Sequence, residues 1–190
     1  MVAKRTTKAK RVLVLLSGGL DSTATVLYYQ NMKYEVTALF VDYGQSARDD
    51  ERRASRRVAT KLGVKRMQVR IAPMRSGVGV IQGRNAMLLS IGLMKAPFDQ
   101  GLIAIGVHGG TNYPDCTEDF IRQMNAVADF YAAGSIRIDA PFAKWSKADI
   151  FEFFKMNRGP IASTYSCERG GKESCGKCIS CKDRTTLHVR

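Results

Sequence analysis

No apolar run in this sequence reaches the roughly 18 residues that a membrane-spanning helix requires, so no segment reads as a bilayer span. The basic opening stretch, residues 1–11, leads straight into a strand and lacks the apolar core of a secretion signal. A cytoplasmic protein is the expectation. Acidic residues are also few: 17 Asp and Glu stand against 30 Lys and Arg, a formal net charge of +13. The excess is uneven. Residues 1–11 hold five basic side chains and no acid, and Arg48–Arg70 holds nine against Asp49, Asp50 and Glu51. Such a field draws polyanions, ATP and pyrophosphate among them; it permits nucleic-acid binding without requiring it. The simpler reading is a solvated helix face and a loose tail of residues 1–10.

Internal repeats and low-complexity segments are missing, and neither a GKS/GKT Walker loop nor GxGxxG occurs. What is present is an alternation of strands and helices. Val12–Leu16 and Val36–Val41 are continuous apolar runs, as expected for strands buried on both faces. Val64–Ile71, Leu102–Val107 and Ile136–Ile138 complete five expected strands. Between them come a short helix after Ser22, a charged helix over Ala47–Leu62 closed by Gly63, and a glycine-containing loop at Pro73–Gly83. An almost wholly apolar helix over Asn85–Ala96, sandwiched in the core, follows. A helix over Glu118–Tyr131 carries the stripe Phe120, Met124, Val127 and Tyr131, and Ala148–Phe154 is the last helix of this body. The alternation predicts an α/β fold with a doubly wound parallel sheet. Ligands of such sheets bind beyond the strand carboxyl ends, where SGGLDS, DYGQ and GVHGG all fall.

Ser17-Gly18-Gly19-Leu20-Asp21-Ser22 joins the first strand to the first helix. Two glycines allow a sharp turn with backbone N–H groups against a phosphate, and the following helix points its positive end at the same anion. Asp21 beside phosphate makes sense where it helps hold Mg²⁺ or orients the loop. The bland alternative is an ordinary βα turn, in which Gly, Asp and Ser are all common.

Cysteine is nearly absent before the last 24 residues, where Cys167-x₇-Cys175-x₂-Cys178-x₂-Cys181 falls; Cys116 stands alone. Four soft ligands within fifteen residues suit a tetrahedral structural zinc; an iron–sulfur cluster is the alternative. The expected organisation is an α/β body over 1–160 and a four-cysteine zinc-binding segment over 161–190, which metal folds because it is too small for its own core.

SGGLDS resembles the PP-loop of the N-type ATP pyrophosphatases. The resemblance narrows through LLSGGLDSTAT, FVDYGQSARDDE, GRNAMLLS, IAIGVHGGTNYPDCTEDFIRQMNAV, APFAKWSKADI and SCERGGKESCGKCISCKDR to the 7-cyano-7-deazaguanine synthase family. It implies a Rossmann-like sheet of the adenine nucleotide alpha hydrolase type and zinc at the four cysteines. It implies an ATP-dependent carbon–nitrogen ligase of queuosine biosynthesis, joining 7-carboxy-7-deazaguanine and ammonia, by way of the amide, into the nitrile. Many relatives pair as homodimers. The expected ATP-binding residues are Leu16, Ser17, Gly18, Gly19, Leu20, Asp21, Ser22, Thr23, Asp42, Tyr43, Gln45, Arg84, Asn85 and Gly106. Expected catalytic groups are Asp21, Arg84, Lys147 and His108, with Lys144 a further candidate cation. His108 is placed to take a proton from ammonia; Tyr113, Asp115 and Thr117 face the deazaguanine. Asp115 or Thr117 serves equally well as the N-cap of the helix that follows. The sequence departs from the family's pattern at Gln82, where proline is usual, and in a short segment before Arg84. Other outcomes are an enzyme that stops at the 7-amido product, one acting on another carboxylate, or a tRNA-modifying PP-loop enzyme. A non-enzymatic ATP-sensing module is the remaining class.

Overall fold

The computed structural model describes residues 9–72 and 81–187; most of the basic tail and of the Pro73–Gly83 loop lies outside them. Five parallel strands form one sheet: β1 (Arg11–Leu15), β2 (Glu35–Asp42), β3 (Lys65–Arg70), β4 (Gly101–Ala104) and β5 (Ile136–Asp139), in the order β3-β2-β1-β4-β5. This is the expected doubly wound α/β arrangement. The order reverses between β1 and β4, which places the topological switch point beyond their carboxyl ends.

Strand β1 shows why the fold follows from the apolar runs. Val12 and Val14 point into one core and Leu13 and Leu15 into the other, and none is more than 7% exposed. The first core receives α1 (Leu20–Asn31) and α2 (Arg48–Leu62); the second receives α3 (Arg84–Lys95) and α4 (Glu118–Ala132). Helix α5 (Lys147–Met156) packs on α1 through Ile150 and Phe154, with Phe142 of the preceding turn in the same cluster. Each core side chain of this kind stabilises the fold by about 1.5–3 kcal/mol relative to exposure. Inside the first core, Tyr29 donates a 2.5 Å hydrogen bond to Asp139 Oδ2, which satisfies both polar groups.

Three expectations are corrected. Helix α3 is not enclosed: only Asn85, Leu89, Ile91 and Gly92 are buried, and Met94 is 74% exposed. The side facing β4 packs closely, since a Cβ on Gly92 would stand 2.8 Å from Ile103 Cγ2. On α4 the inward line is Met124 and Ala128, with Phe120 half-buried, while Val127 and Tyr131 are turned toward solvent. The 120–124–127–131 spacing drifts around the helix, and a small residue, Ala128, takes the close approach to the sheet. Strand β4 also stops at Ala104, although Ile105 and Val107 remain buried past its end.

After α5 the chain makes a short turn and crosses back over the carboxyl ends of the strands. There Tyr165 N donates to Gly18 O at 2.9 Å, and Gly171 N to Asp50 Oδ2 at 2.7 Å. The segment ends in α6 (Ile179–Thr186).

Candidate active site and metal centre

The turn after β1 has the form that anion binding requires. Gly18 adopts φ 91°, and a Cβ there would stand 2.5 Å from Ser55 N, so the loop presses directly on α2. Gly19 is the N-cap of α1 and no side chain caps that end, which leaves first-turn amides available to a ligand. The hydroxyls are held in place: Ser17 and Ser22 Oγ are 3.1 Å apart, and Thr23 Oγ1 donates to Gly19 O at 2.7 Å. Gly106, after β4, is needed for close approach; its Cβ would meet Asp21 O at 3.0 Å.

Above the turn, Lys147 Nζ lies 2.6 Å from Asp21 Oδ1 and 2.5 Å from Oδ2. A capping box of Ser146 and Asp149 starts α5 and fixes the lysine in its first turn. His108 lies beside this pair. Burial lowers its pKa, opposed by the Asp21 charge and reinforced by Lys147, and its Nδ1 accepts from Gly110 N at 3.2 Å. It therefore stays neutral near neutrality and is a proton acceptor rather than a cation.

The opposite wall is built by the start of α3. Asn85 is buried and donates from Nδ2 to Asp115 O at 3.2 Å, which ties the GRN segment to YPDC. Tyr43 lies beside Arg84 and Glu51, and burial raises its pKa. Gln45 Nε2 donates to Glu51 Oε2 at 2.9 Å; burial raises the pKa of this carboxyl, with Arg84 opposing.

These walls enclose one cavity of about 430 Å³. Of the residues expected from the sequence, it is lined by Leu16, Ser17, Gly19, Leu20, Asp21, Ser22, Tyr43, Gln45, Arg84, Asn85, Gly106, His108, Tyr113, Asp115 and Lys147. Gly18, Thr23, Asp42 and Thr117 are not on its surface. Thr23 and Asp42 are buried beneath it, with Asp42 Oδ1 accepting from Gly44 N at 3.2 Å. Thr117 caps α4, accepting from Phe120 N at 3.2 Å. Lys144 is exposed and pairs with Glu118 at 3.1 Å, away from the cavity.

Several lining residues were not singled out by sequence reasoning: Glu51, Tyr165, Glu168, Asp183 and Arg184. Glu51 looks like one more acid on a charged helix. The other four belong to the cysteine-rich segment, whose spacing speaks only of metal. One signal was available: Arg184 follows Cys181 by three residues, one helical turn.

In that segment the Sγ atoms of Cys167, Cys175, Cys178 and Cys181 all lie within 4.8 Å of one another, and none is in a disulfide. Tetrahedral thiolates about 2.3 Å from a metal stand about 3.8 Å apart, and Cys175 and Cys181 Sγ are 3.9 Å apart. Backbone amides of Lys177 and Cys178 hold the Cys175 thiol down to about 6, whereas burial pushes Cys181 up to about 12. The cluster is thus able to hold a metal. Cys116 is separate; it lines the cavity, and burial raises its pKa, which disfavours a thiolate.

Comparison with known proteins agrees with this geometry. The model of the family described as "Queuosine biosynthesis protein QueC" matches residues 11–79 and 73–188. A 7-cyano-7-deazaguanine synthase of Ruegeria sp. (strain TM1040) is 34% identical over 92% of this chain and 86% of its own. One from Brucella anthropi is 32% identical over 92% and 87%. Among solved structures, the U34-tRNA thiolase NcsA from Methanococcus maripaludis, with its [4Fe-4S] cluster, shares the fold. Its TM-score is 0.54 at 16% identity, over 97% of this chain and 66% of that one. With the family match running almost the whole length of the chain, this protein belongs to the queuosine biosynthesis protein QueC family.

Proposed function

We propose that this chain converts 7-carboxy-7-deazaguanine, ammonia and two ATP into 7-cyano-7-deazaguanine. The observation that carries the reading is one cavity holding both an uncapped glycine turn and, across from it, the Arg84–Asn85 and Tyr113–Asp115 wall. A phosphate chain fits the first and a flat, polar-edged base fits the second.

The chemistry needs activation because a carboxylate is anionic and its leaving group would be oxide. A carboxylate oxygen attacks the α-phosphorus of ATP and pyrophosphate leaves. Ammonia then attacks the acyl carbon, AMP leaves with the C–O electrons, and a proton is lost, giving the amide. The amide oxygen attacks the α-phosphorus of a second ATP and pyrophosphate leaves. AMP then departs with the C–O electrons, and loss of both N–H protons gives the nitrile.

First-turn amides of α1 with Ser17 and Ser22 bind the phosphates; Lys147 and Arg84 offset charge as two anions approach. Mg²⁺, with Asp21 as its protein ligand, would supply further charge neutralisation at the transferring phosphate. His108, kept neutral, accepts a proton from ammonia. Asp115 accepts from the N–H edge of the base, with Tyr113 beside it. Residues 1–160 form the catalytic body; residues 161–190 form a segment organised by zinc at the four cysteines.

The test is mass spectrometry of products after incubation with the 7-carboxy acid, ammonium and Mg-ATP. The nitrile is expected. The amide alone would mark an enzyme that stops one adenylation early, and unchanged acid with no pyrophosphate released would overturn the reading.

A further inference from the structure

The cysteine-rich segment does more than end the chain. Its helix α6 begins at Cys178 as N-cap, carries Cys181 in the first turn, and places Asp183 and Arg184 on the cavity wall. Asp183 is near enough to His108 to influence its charge. Arg184 Nη1 donates to Thr164 Oγ1 at 3.3 Å. The next residue, Tyr165, bonds through its amide to Gly18 O, and its carbonyl oxygen lies 3.6 Å from where a Gly19 Cβ would stand. The guanidinium is thus held on Thr164, the residue next to the one that bonds to the glycine turn, and it lines the same cavity as that turn.

The charges around the turn show what Arg184 is for. Lys147 contacts Asp21 at the start of α1, and Arg84 stands on the far wall beside Tyr43 and Glu51, so neither cation belongs to the wall that carries Thr164 and Tyr165. Among the ion pairs of the described residues none involves Arg184. It is half-buried, and taking it partly out of water lowers its pKa. A desolvated cation with no carboxylate partner, opening onto an anion site, is incomplete without an anion. Guanidinium is also the group whose planar fork matches two phosphate oxygens at once.

We propose that Arg184 is a binding residue for the β- and γ-phosphates of ATP, delivered to the phosphate loop by the metal-held helix α6. This rests on the adenylation reading above and adds a ligand to it. It gives the metal knuckle a part in nucleotide binding beyond holding the fold, since losing the metal would release the helix that carries Arg184. The rival role is local: the Cys181 charge is near Arg184, and the arginine could simply balance a metal tetrathiolate.

Arg184→Met and Arg184→Lys, in the metal-loaded full chain, separate these roles. Calorimetry would measure binding of ATP, pyrophosphate and AMP, and metal content would be read by mass spectrometry. Loss of one charge-assisted contact should weaken ATP and pyrophosphate about 10- to 100-fold in R184M. AMP affinity and one metal per chain should be unchanged, and R184K should recover part of the loss. Equal affinities for ATP in R184M and the parent would overturn the proposal, as would a parallel fall in metal content, which assigns Arg184 to the thiolates. A parent protein that binds no ATP would instead defeat the adenylation reading itself.

Discussion

Lys147 and Asp21 are 126 positions apart in sequence, yet the lysine ammonium contacts both carboxylate oxygens, at 2.6 and 2.5 Å, with each side chain 24% exposed. One comes from the first turn of α1 and the other from the first turn of α5, so the pair fixes two helix ends around the phosphate turn. If the lysine offsets charge at the transferring phosphate, Lys147→Met should lower pyrophosphate release by about 10²–10³-fold. Asp21→Asn should cost a similar factor, and the double variant should cost far less than the product of the two. A Lys147→Met enzyme within about threefold of the parent would remove the lysine from the mechanism.

Glu51 makes a pH prediction. Burial raises its pKa, so in the folded state it binds protons that the unfolded chain, with a carboxyl near 4.3, has released. Stability from this group is fully present below the unfolded value and is lost as pH rises through the folded one. Glu51→Gln keeps an acceptor for Gln45 and removes the ionisation. The variant should melt higher than the parent at pH 7, and the gap should close near pH 4. A gap unchanged between the two pH values would show that Glu51 is not desolvated.

The strands and the phosphate turn could be read from the sequence because each is a local pattern: VLVLL is apolar on both faces, and SGGLDS follows it directly. The same holds for the four cysteines, whose spacing alone predicts convergence. What the sequence hides is orientation. The Val127 and Tyr131 stripe was expected to face the core, but Ala128 is the residue that fits against the sheet. Asp42 and Thr117, polar residues at promising positions, turned out to be satisfied by Gly44 N and Phe120 N outside the cavity. Glu51 and Arg184 entered the site only through tertiary folding, which brings α2 and α6 to opposite sides of the loop. Nothing in the residues around Glu51 predicts that meeting, and for Arg184 the one helical turn from Cys181 is the single local hint.

Two of the positive-φ glycines, Gly18 and Gly83, offer a comparison. Both have positive φ, 91° and 74°, but a Cβ on Gly18 would stand 2.5 Å from Ser55 N and 2.8 Å from Ala54 Cβ, while one on Gly83 meets nothing within 4 Å among the described residues. Gly83→Ala therefore carries backbone strain alone, about 1 kcal/mol. Gly18→Ala adds a clash with backbone and should cost about 2–4 kcal/mol in urea unfolding. Equal costs would mean that the loop relaxes away from α2.

Metal removal should act locally at first. The cysteine segment is tied to the body by a few hydrogen bonds, such as Tyr165 N to Gly18 O and Gly171 N to Asp50 Oδ2, and by the close fit of Gly170 over Ser46 O. Its apolar cluster is little more than the cysteines themselves with Tyr165. With no metal, four sulfurs within 4.8 Å of one another have only burial and mutual repulsion to balance, and so small a unit has no other source of stability. The sheet, by contrast, keeps both its cores. Hydrogen exchange after chelation, or in Cys181→Ser, should therefore show protection lost across residues 164–187 while β1, β2 and β4 stay protected. Because Tyr165 also braces the phosphate turn, ATP affinity should fall in the same samples. Loss of protection throughout the sheet in the same step would mean that the metal supports the whole fold. Unchanged exchange over 164–187 would mean that the cysteines hold nothing.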